Sequence, residues 1–321
     1  MKKPKLVILD GYTSIQNDLD WNSFNDIADV IAYDRTPAEK IVERATDADA
    51  VFTNKVPFFA EQLNALPNLK YIGVLATGYN NVDIPLANKL GITVCNIPAY
   101  GTDSVAQAVF AHILNIANRT DLHAQSVRKG DWCTSLDIAY CLTPQSQLNT
   151  KTIGIFGFGA IGRKVAKIAD GFGMNVIAYS PSRTIGEKID CAEIVAVEKI
   201  FSESDIISLN CPLNEKTKEI INARTLKLTK RGTWLINTGR GQLINENDLA
   251  DALKSGQIAF AGLDVLSTEP PTNDNPLLNL DNCFITPHNA WTTKTARKRL
   301  IEICFDNFNA WLHGKPINKI G

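Results

Sequence analysis

The segment Gly157-Phe158-Gly159-Ala160-Ile161-Gly162 constrains this chain more than any other part of it. It directly follows the apolar run Thr152-Ile153-Gly154-Ile155-Phe156 and opens a helical pattern over residues 163–170, so its glycines sit at a strand-to-helix turn. Gly157 permits a tight turn there, Gly159 lets a phosphate approach the backbone, and Gly162 lets helix and strand pack closely. Ala160 and Ile161, between the second and third glycines, lead into that helix, where free N–H groups and the positive end of the helix dipole attract anions. The segment reads as the pyrophosphate cradle of a dinucleotide-binding βαβ unit, which requires a parallel sheet covered by helices.

The rest of the chain agrees. Short apolar runs at 5–10, 30–34, 50–53, 71–76 and 92–97 alternate with helical patterns, and a second series follows at 152–156, 175–179, 206–210, 233–237, 259–263 and 283–286. Both series predict a doubly wound parallel α/β sheet. Thr36-Pro37-Ala38-Glu39 predicts a helix start with Thr36 as cap and Glu39 closing a capping box, and Asp83 predicts another helix that Gly91 ends. A longer amphipathic helix over 101–119 carries Val105, Val109, Phe110, Ile113, Leu114 and Ala117 on one stripe and is expected to link the two halves. Residues 130–149 have no period and read as an irregular loop. After Trp291, a last helix places Leu300, Cys304, Phe308 and Trp311 on one face, long enough to return across a domain boundary.

Composition narrows the partners. The 321 residues allow two domains of ordinary size, and 33 Lys plus Arg against 34 Asp plus Glu gives no electrostatic case for nucleic acid or an anionic membrane. A small molecule is the expected partner. The 7 cysteines are scattered and never in metal-binding spacing, and the apolar stretch after Met1-Lys2-Lys3-Pro4-Lys5 is too short for a signal-peptide core or a membrane span. The expectation is a reduced, cytoplasmic protein without metal.

The second strand of the dinucleotide unit bears on which dinucleotide binds. NAD sites usually end this strand with an acid that holds the ribose 2′-OH. Here Tyr179 is followed by Ser180-Pro181-Ser182-Arg183. Without a carboxylate there is no repulsion of a 2′-phosphate, and Ser180, Ser182 and Arg183 can bind one, so NADPH is expected with NADH possible as well. The alternative is that Arg183 is a solvated loop charge.

Three polar residues follow strands of the second series: Arg240 in Asn237-Thr238-Gly239-Arg240-Gly241, Glu269 in Thr268-Glu269-Pro270-Pro271, and His288 in Pro287-His288-Asn289-Ala290-Trp291. Ligands of open α/β sheets bind at the carboxyl ends of strands. Reducing a 2-keto acid needs a proton donor, a cation for the carboxylate and a group that keeps the donor charged. His288 can donate the proton, Arg240 can pair with carboxylate and keto oxygen, and Glu269 can orient His288 and raise its pKa. Taken singly, Arg240 could bind a cofactor phosphate and Glu269 could cap a turn, but neither alternative explains all three. Cys211 lacks a neighbouring His or thiol motif and reads, with Pro212 and nearby Thr217, as lining for the adenosine side. His112, His123 and His313 lie in helical patterns and read as structural.

The ordered signatures at 157–162, Leu209-Asn210-Cys211-Pro212-Leu213, Leu235-Ile236-Asn237-Thr238-Gly239-Arg240-Gly241, Gly262-Leu263-Asp264-Val265 with Glu269-Pro270, and Thr286-Pro287-His288 resemble the D-isomer-specific 2-hydroxyacid dehydrogenases over nearly the whole chain. The resemblance implies a flavodoxin-like substrate domain of residues 1–101 plus 291–321 and a Rossmann cofactor domain of residues 102–290. It carries catalysis onto Arg240, Glu269 and His288, and it places Thr238, Gly239, Asp264, His288 and Ala290 at the cofactor, Asp264 at the nicotinamide. It implies that Ala76-Thr77-Gly78-Tyr79-Asn80 is a turn whose N–H groups hold the substrate carboxylate, making Thr77, Gly78 and Tyr79 substrate candidates, and that the protein is a homodimer.

Within the family, residues 74–80 and Trp291, which can limit pocket size, are most similar to bacterial hydroxypyruvate reductases, also called glycerate dehydrogenases. Hydroxypyruvate or glyoxylate is therefore the expected substrate, with D-lactate or D-3-phosphoglycerate dehydrogenase as alternatives. A non-catalytic corepressor-like NAD(H) sensor is the alternative from another class. Ser180 departs from the family's usual acid, and Gln107 stands where many relatives have Glu.

Overall fold

A computed structural model describes residues 3–321. The chain divides into two compact units, one of residues up to Gly101 together with Trp291–Gly321, the other Thr102–Ala290.

The first unit is a five-stranded, all-parallel sheet of β1 (Lys5–Ile8), β2 (Asp29–Ala32), β3 (Ala50–Thr53), β4 (Tyr71–Val74) and β5 (Thr93–Cys95), in the order β2-β1-β3-β4-β5. Its interior strands are buried on both faces, as a sheet covered by helices requires. On one face an aromatic cluster of Phe24, Phe52, Tyr71 and Phe308 packs edge to face, with Phe52 and Phe308 ring centroids 5.6 Å apart. Phe308 comes from the helix Lys294–Leu312, whose Leu300 and Cys304 are buried beside it; Trp311 is only partly buried. Asp83 accepts the N–H of Leu86 and so caps the helix Ile84–Lys89, and Gly91 follows that helix at φ +76°.

One expected start is different. Residues 38–40 form a single 3₁₀ turn with no side-chain cap, because the Thr36 hydroxyl donates to the Leu9 carbonyl and accepts from Arg44. A tertiary acceptor has taken the hydroxyl that the capping box needed.

The second unit is an eight-stranded sheet of β6 (Thr152–Phe156), β7 (Asn175–Tyr179), β8 (Lys188–Ile189), β9 (Ala192–Ile194), β10 (Ile206–Leu209), β11 (Thr233–Asn237), β12 (Ile258–Leu263) and β13 (Cys283–Ile285). The order is β13-β12-β11-β10-β6-β7-β9-β8, parallel except for the β8–β9 hairpin. That hairpin is absent from the sequence reading, since strands of two and three residues show no period. The strand order reverses between β6 and β10, and the loops leaving their carboxyl ends meet there: a Cβ on Gly157 would lie 2.6 Å from the Cys211 nitrogen. The helix Thr102–Asn118 belongs to this unit and packs on the helix Ala160–Gly171 and on β11 and β12, so it is a core helix rather than a linker. Residues 130–149 are irregular apart from one 3₁₀ turn at Trp132–Thr134.

Candidate active site

The glycine loop has the geometry its sequence demands. Gly157 adopts φ +100°, a conformation that side chains other than glycine rarely take. A Cβ on Gly162 would lie 2.2 Å from the Gly157 carbonyl oxygen, whereas one on Gly159 would meet nothing within 4 Å. The helix Ala160–Gly171 starts there without a side-chain cap, and the N–H groups of Ala160 and Ile161 have no acceptor among the described residues, as an anion site requires. Nearby, at the carboxyl ends of β10 and β11, Asn210 Oδ1 and Thr238 Oγ1 are buried with no hydrogen-bond partner among the described residues. A cradle open at Gly159 beside unspent polar atoms fits a bound dinucleotide.

Beyond β7, the Ser180 and Ser182 hydroxyls lie 3.2 Å apart, and Arg183 lies 3.9 Å from Glu187 with both side chains solvated. A pair that long and exposed leaves the guanidinium open to a stronger anion. Cys211 is 9% exposed, and burial pushes its thiol up to about 11, which removes it as a nucleophile. Thr217 donates to the Pro212 carbonyl and braces the turn after Cys211.

Three adjacent strands, β11, β12 and β13, deliver the three polar residues. Glu269 Oε2 lies 2.6 Å from His288 Nδ1, both partly exposed, and Glu269 Oε1 accepts the Leu266 N–H at 3.1 Å. A carboxylate can only accept, so Nδ1 carries a hydrogen and Nε2 is the free nitrogen. His288 itself sits at φ +50°, a left-handed position for a side chain with a Cβ, of the kind that occurs at functional sites. Arg240 is half-buried, with Nη1 donating to the Gly239 carbonyl at 2.8 Å.

Two residues that the sequence reading passed over hold this edge together. Asn237, fully buried, accepts the Gly239 N–H at 3.0 Å and donates to the Arg240 carbonyl at 2.9 Å, which fixes the turn presenting Arg240. Gly241 touches the loop that leads to Glu269: a Cβ there would lie 1.9 Å from the Leu266 carbonyl carbon. A buried Asn ending an apolar strand and a Gly after the Arg are the signals that could have found them.

Asp264 is drawn into a network that its place in the sequence does not foretell. It is 1% exposed, and its carboxylate accepts from the Thr286 hydroxyl and from the Asn289 and Ala290 N–H groups. These surroundings make it a brace for the turn that carries His288.

In the other unit, the turn after β4 is pinned on both sides of Thr77. Its hydroxyl donates to the Ile97 carbonyl at 2.9 Å, and its carbonyl accepts from Asn96 Nδ2 at 2.7 Å. The N–H groups of Gly78 and Tyr79 have no acceptor among the described residues, and Tyr79 is exposed. Trp291 packs edge to face on Tyr100, centroids 6.0 Å apart. Among the described residues no cluster of His, Cys, Asp and Glu could hold a metal ion, and no helix is long and apolar enough to cross a membrane.

Comparison with known proteins points to one family. Residues 110–290 match the sequence pattern described as D-isomer specific 2-hydroxyacid dehydrogenase, NAD binding domain. The chain is 43% identical to a hydroxypyruvate reductase of Blautia hydrogenotrophica over 98% of its own length and 99% of that protein's. It is 40% identical to a glycerate dehydrogenase of Methylorubrum extorquens, covering 88% of each. Among solved structures, an acyclic imino acid reductase in complex with NADPH and D-Arg superposes with a TM-score of 0.87 at 31% identity, covering 99% of this chain and 100% of that one.

Proposed function

This chain belongs to the D-isomer specific 2-hydroxyacid dehydrogenase family, and from that premise we propose that it reduces hydroxypyruvate or glyoxylate to D-glycerate or glycolate, preferring NADPH to NADH. The 2.6 Å contact between Glu269 and His288 carries the reading. With Nδ1 held by the carboxylate, the imidazolium of His288 has one transferable proton, on Nε2, for the oxygen of the substrate carbonyl. Glu269 offsets the imidazolium charge until that proton leaves. Reduced nicotinamide supplies the hydride that the carbonyl carbon receives. Arg240 pairs with the substrate carboxylate and polarises the keto oxygen.

The unspent N–H groups of Gly78 and Tyr79 are the proposed second contact to the carboxylate, with Thr77 fixing their direction. Tyr79 and Trp291 limit the acid to a small one. Gly157, Gly159, Ala160, Ile161 and Gly162 hold the pyrophosphate, Ser180, Ser182 and Arg183 the 2′-phosphate, and Cys211, Pro212 and Thr217 the adenosine side. Thr238, Gly239 and Ala290 line the nicotinamide side, where the unpartnered Thr238 hydroxyl finds a ligand atom. The presence of Arg240, Glu269 and His288 together supports an enzyme over a sensor that only binds.

The test is a panel of 2-keto acids assayed with NADPH and NADH in parallel. Fastest turnover with hydroxypyruvate or glyoxylate and NADPH is expected. No cofactor oxidation with any acid refutes the reading, and a strong preference for NADH refutes the role given to Ser180 and Arg183.

A further inference from the structure

The turn that carries His288 is held from behind by a network the chemistry above does not use. Asp264 Oδ1 accepts from the Thr286 hydroxyl at 2.6 Å and from the Asn289 N–H at 2.9 Å, and Oδ2 accepts from the Ala290 N–H at 2.9 Å. The Asp264 carbonyl accepts the His288 N–H at 2.8 Å. Behind Thr286 stands His112 of the helix Thr102–Asn118, 6% exposed, its Nε2 3.2 Å from Thr286 Oγ1.

Proton counting sets the direction of these bonds. Thr286 has one hydroxyl hydrogen, and the carboxylate at 2.6 Å takes it. Thr286 Oγ1 therefore accepts from His112, so His112 Nε2 bears hydrogen. Burial holds His112 below the ordinary histidine range, with Asp264 opposing it, so the ring is neutral at physiological pH, and the bond to Thr286 fixes its tautomer. Gly262 makes the placement possible: a Cβ there would lie 2.7 Å from the His112 Cβ and 3.0 Å from its Nδ1.

We infer that His112 is a positioning residue for His288, acting through Thr286 and Asp264 to fix the 286–290 turn in the left-handed geometry that presents the imidazole. A non-glycine residue at φ +50° persists only where its surroundings over-determine it, and the Asp264 network supplies that constraint from four directions. The inference rests on the reading of His288 as proton donor.

The experiment compares wild type, H112L, T286V, the double variant, H112Q and H288Q for kcat, KM and NADPH binding, with amide exchange over residues 286–290 measured alongside. T286V and H112L are expected to lower kcat by about 10- to 100-fold with KM and NADPH affinity near wild type. H112Q, whose amide N–H can still donate to Thr286, restores most of the turnover, and the double variant is no slower than T286V because both break one chain. The Asn289 and Ala290 amides exchange faster in H112L and T286V whatever the turnover. Wild-type kcat in T286V, equal loss in H112Q and H112L, or unchanged amide exchange each overturn the relay. An active H288Q overturns the assignment of the proton donor instead, and amide exchange then still decides the relay.

Discussion

After β4, the five-stranded sheet offers backbone at its carboxyl edge: the unspent N–H groups of Gly78 and Tyr79, with Thr77 and Asn96 spending their polar atoms on holding the turn. The eight-stranded sheet offers side chains at the same kind of edge, Arg240, Glu269 and His288 beyond β11, β12 and β13, braced by buried Asn237 and Asp264. A backbone donor can hold an anion but cannot titrate. On the proposed function, proton transfer belongs to the second edge, and the backbone of the first contributes binding and orientation.

The sharpest way to break that division is to remove the titrating group. His288→Gln keeps the volume and loses the acid, so kcat falls by about 100- to 10,000-fold while NADPH still quenches protein fluorescence with wild-type affinity. Retained turnover would move proton transfer elsewhere. Gly241→Ala tests whether the second edge depends on close backbone contact. Its Cβ would overlap the Leu266 carbonyl, so a loss of about 1–3 kcal/mol is expected in denaturant unfolding, with kcat reduced as the Arg240 and Glu269 loops separate.

Effects at the cofactor and at the first edge are smaller. Arg183→Ala removes the charge-assisted contact proposed to the 2′-phosphate, and the ratio of kcat/KM for NADPH over NADH should fall about 10-fold. An unchanged ratio would make Arg183 a solvated loop charge. Asn96→Ala frees the Thr77 carbonyl, an expected cost of about 1 kcal/mol read as an approximately five-fold rise in KM for the keto acid at constant kcat. A fall in kcat instead would erase the distinction between the edges.

The smallest effect is on stability against pH. Burial lowers the pKa of His112 below its usual 6.5, so the unfolded chain binds a proton that the folded chain refuses in the window just below that value. Stability is full above the window and declines as pH falls through it, and His112→Gln removes this step. Asp18 behaves differently: Arg297 holds its carboxyl below 3.8, so what the pair contributes is present above that value and is lost in more acid solution. Thermal melts of wild type and His112→Gln over mildly acid pH separate the two.

Much of this molecule is legible in its sequence because the governing interactions are local. Strand runs such as 152–156 and 233–237 declare themselves by continuous apolar residues, and the glycine loop by conformations only glycine adopts cheaply. Arg240, Glu269 and His288 stand out because each is polar and closely follows such a run. Thr36 misled for the opposite reason: its hydroxyl found the Leu9 carbonyl, distant in sequence and close in space.

By itself, then, the sequence determined two parallel α/β sheets, a dinucleotide cradle and the kinds of groups at the carboxyl edges, since strand period, glycine torsion and side-chain chemistry are properties of short segments. Only the tertiary structure decided that Asp264 braces the turn of His288, that Gly241 must lack a side chain, and that His112 stands behind Thr286. Those outcomes depend on which distant segments meet once apolar surface is buried, and hydrogen-bond partners inside a core are set by that meeting rather than by the residues alone.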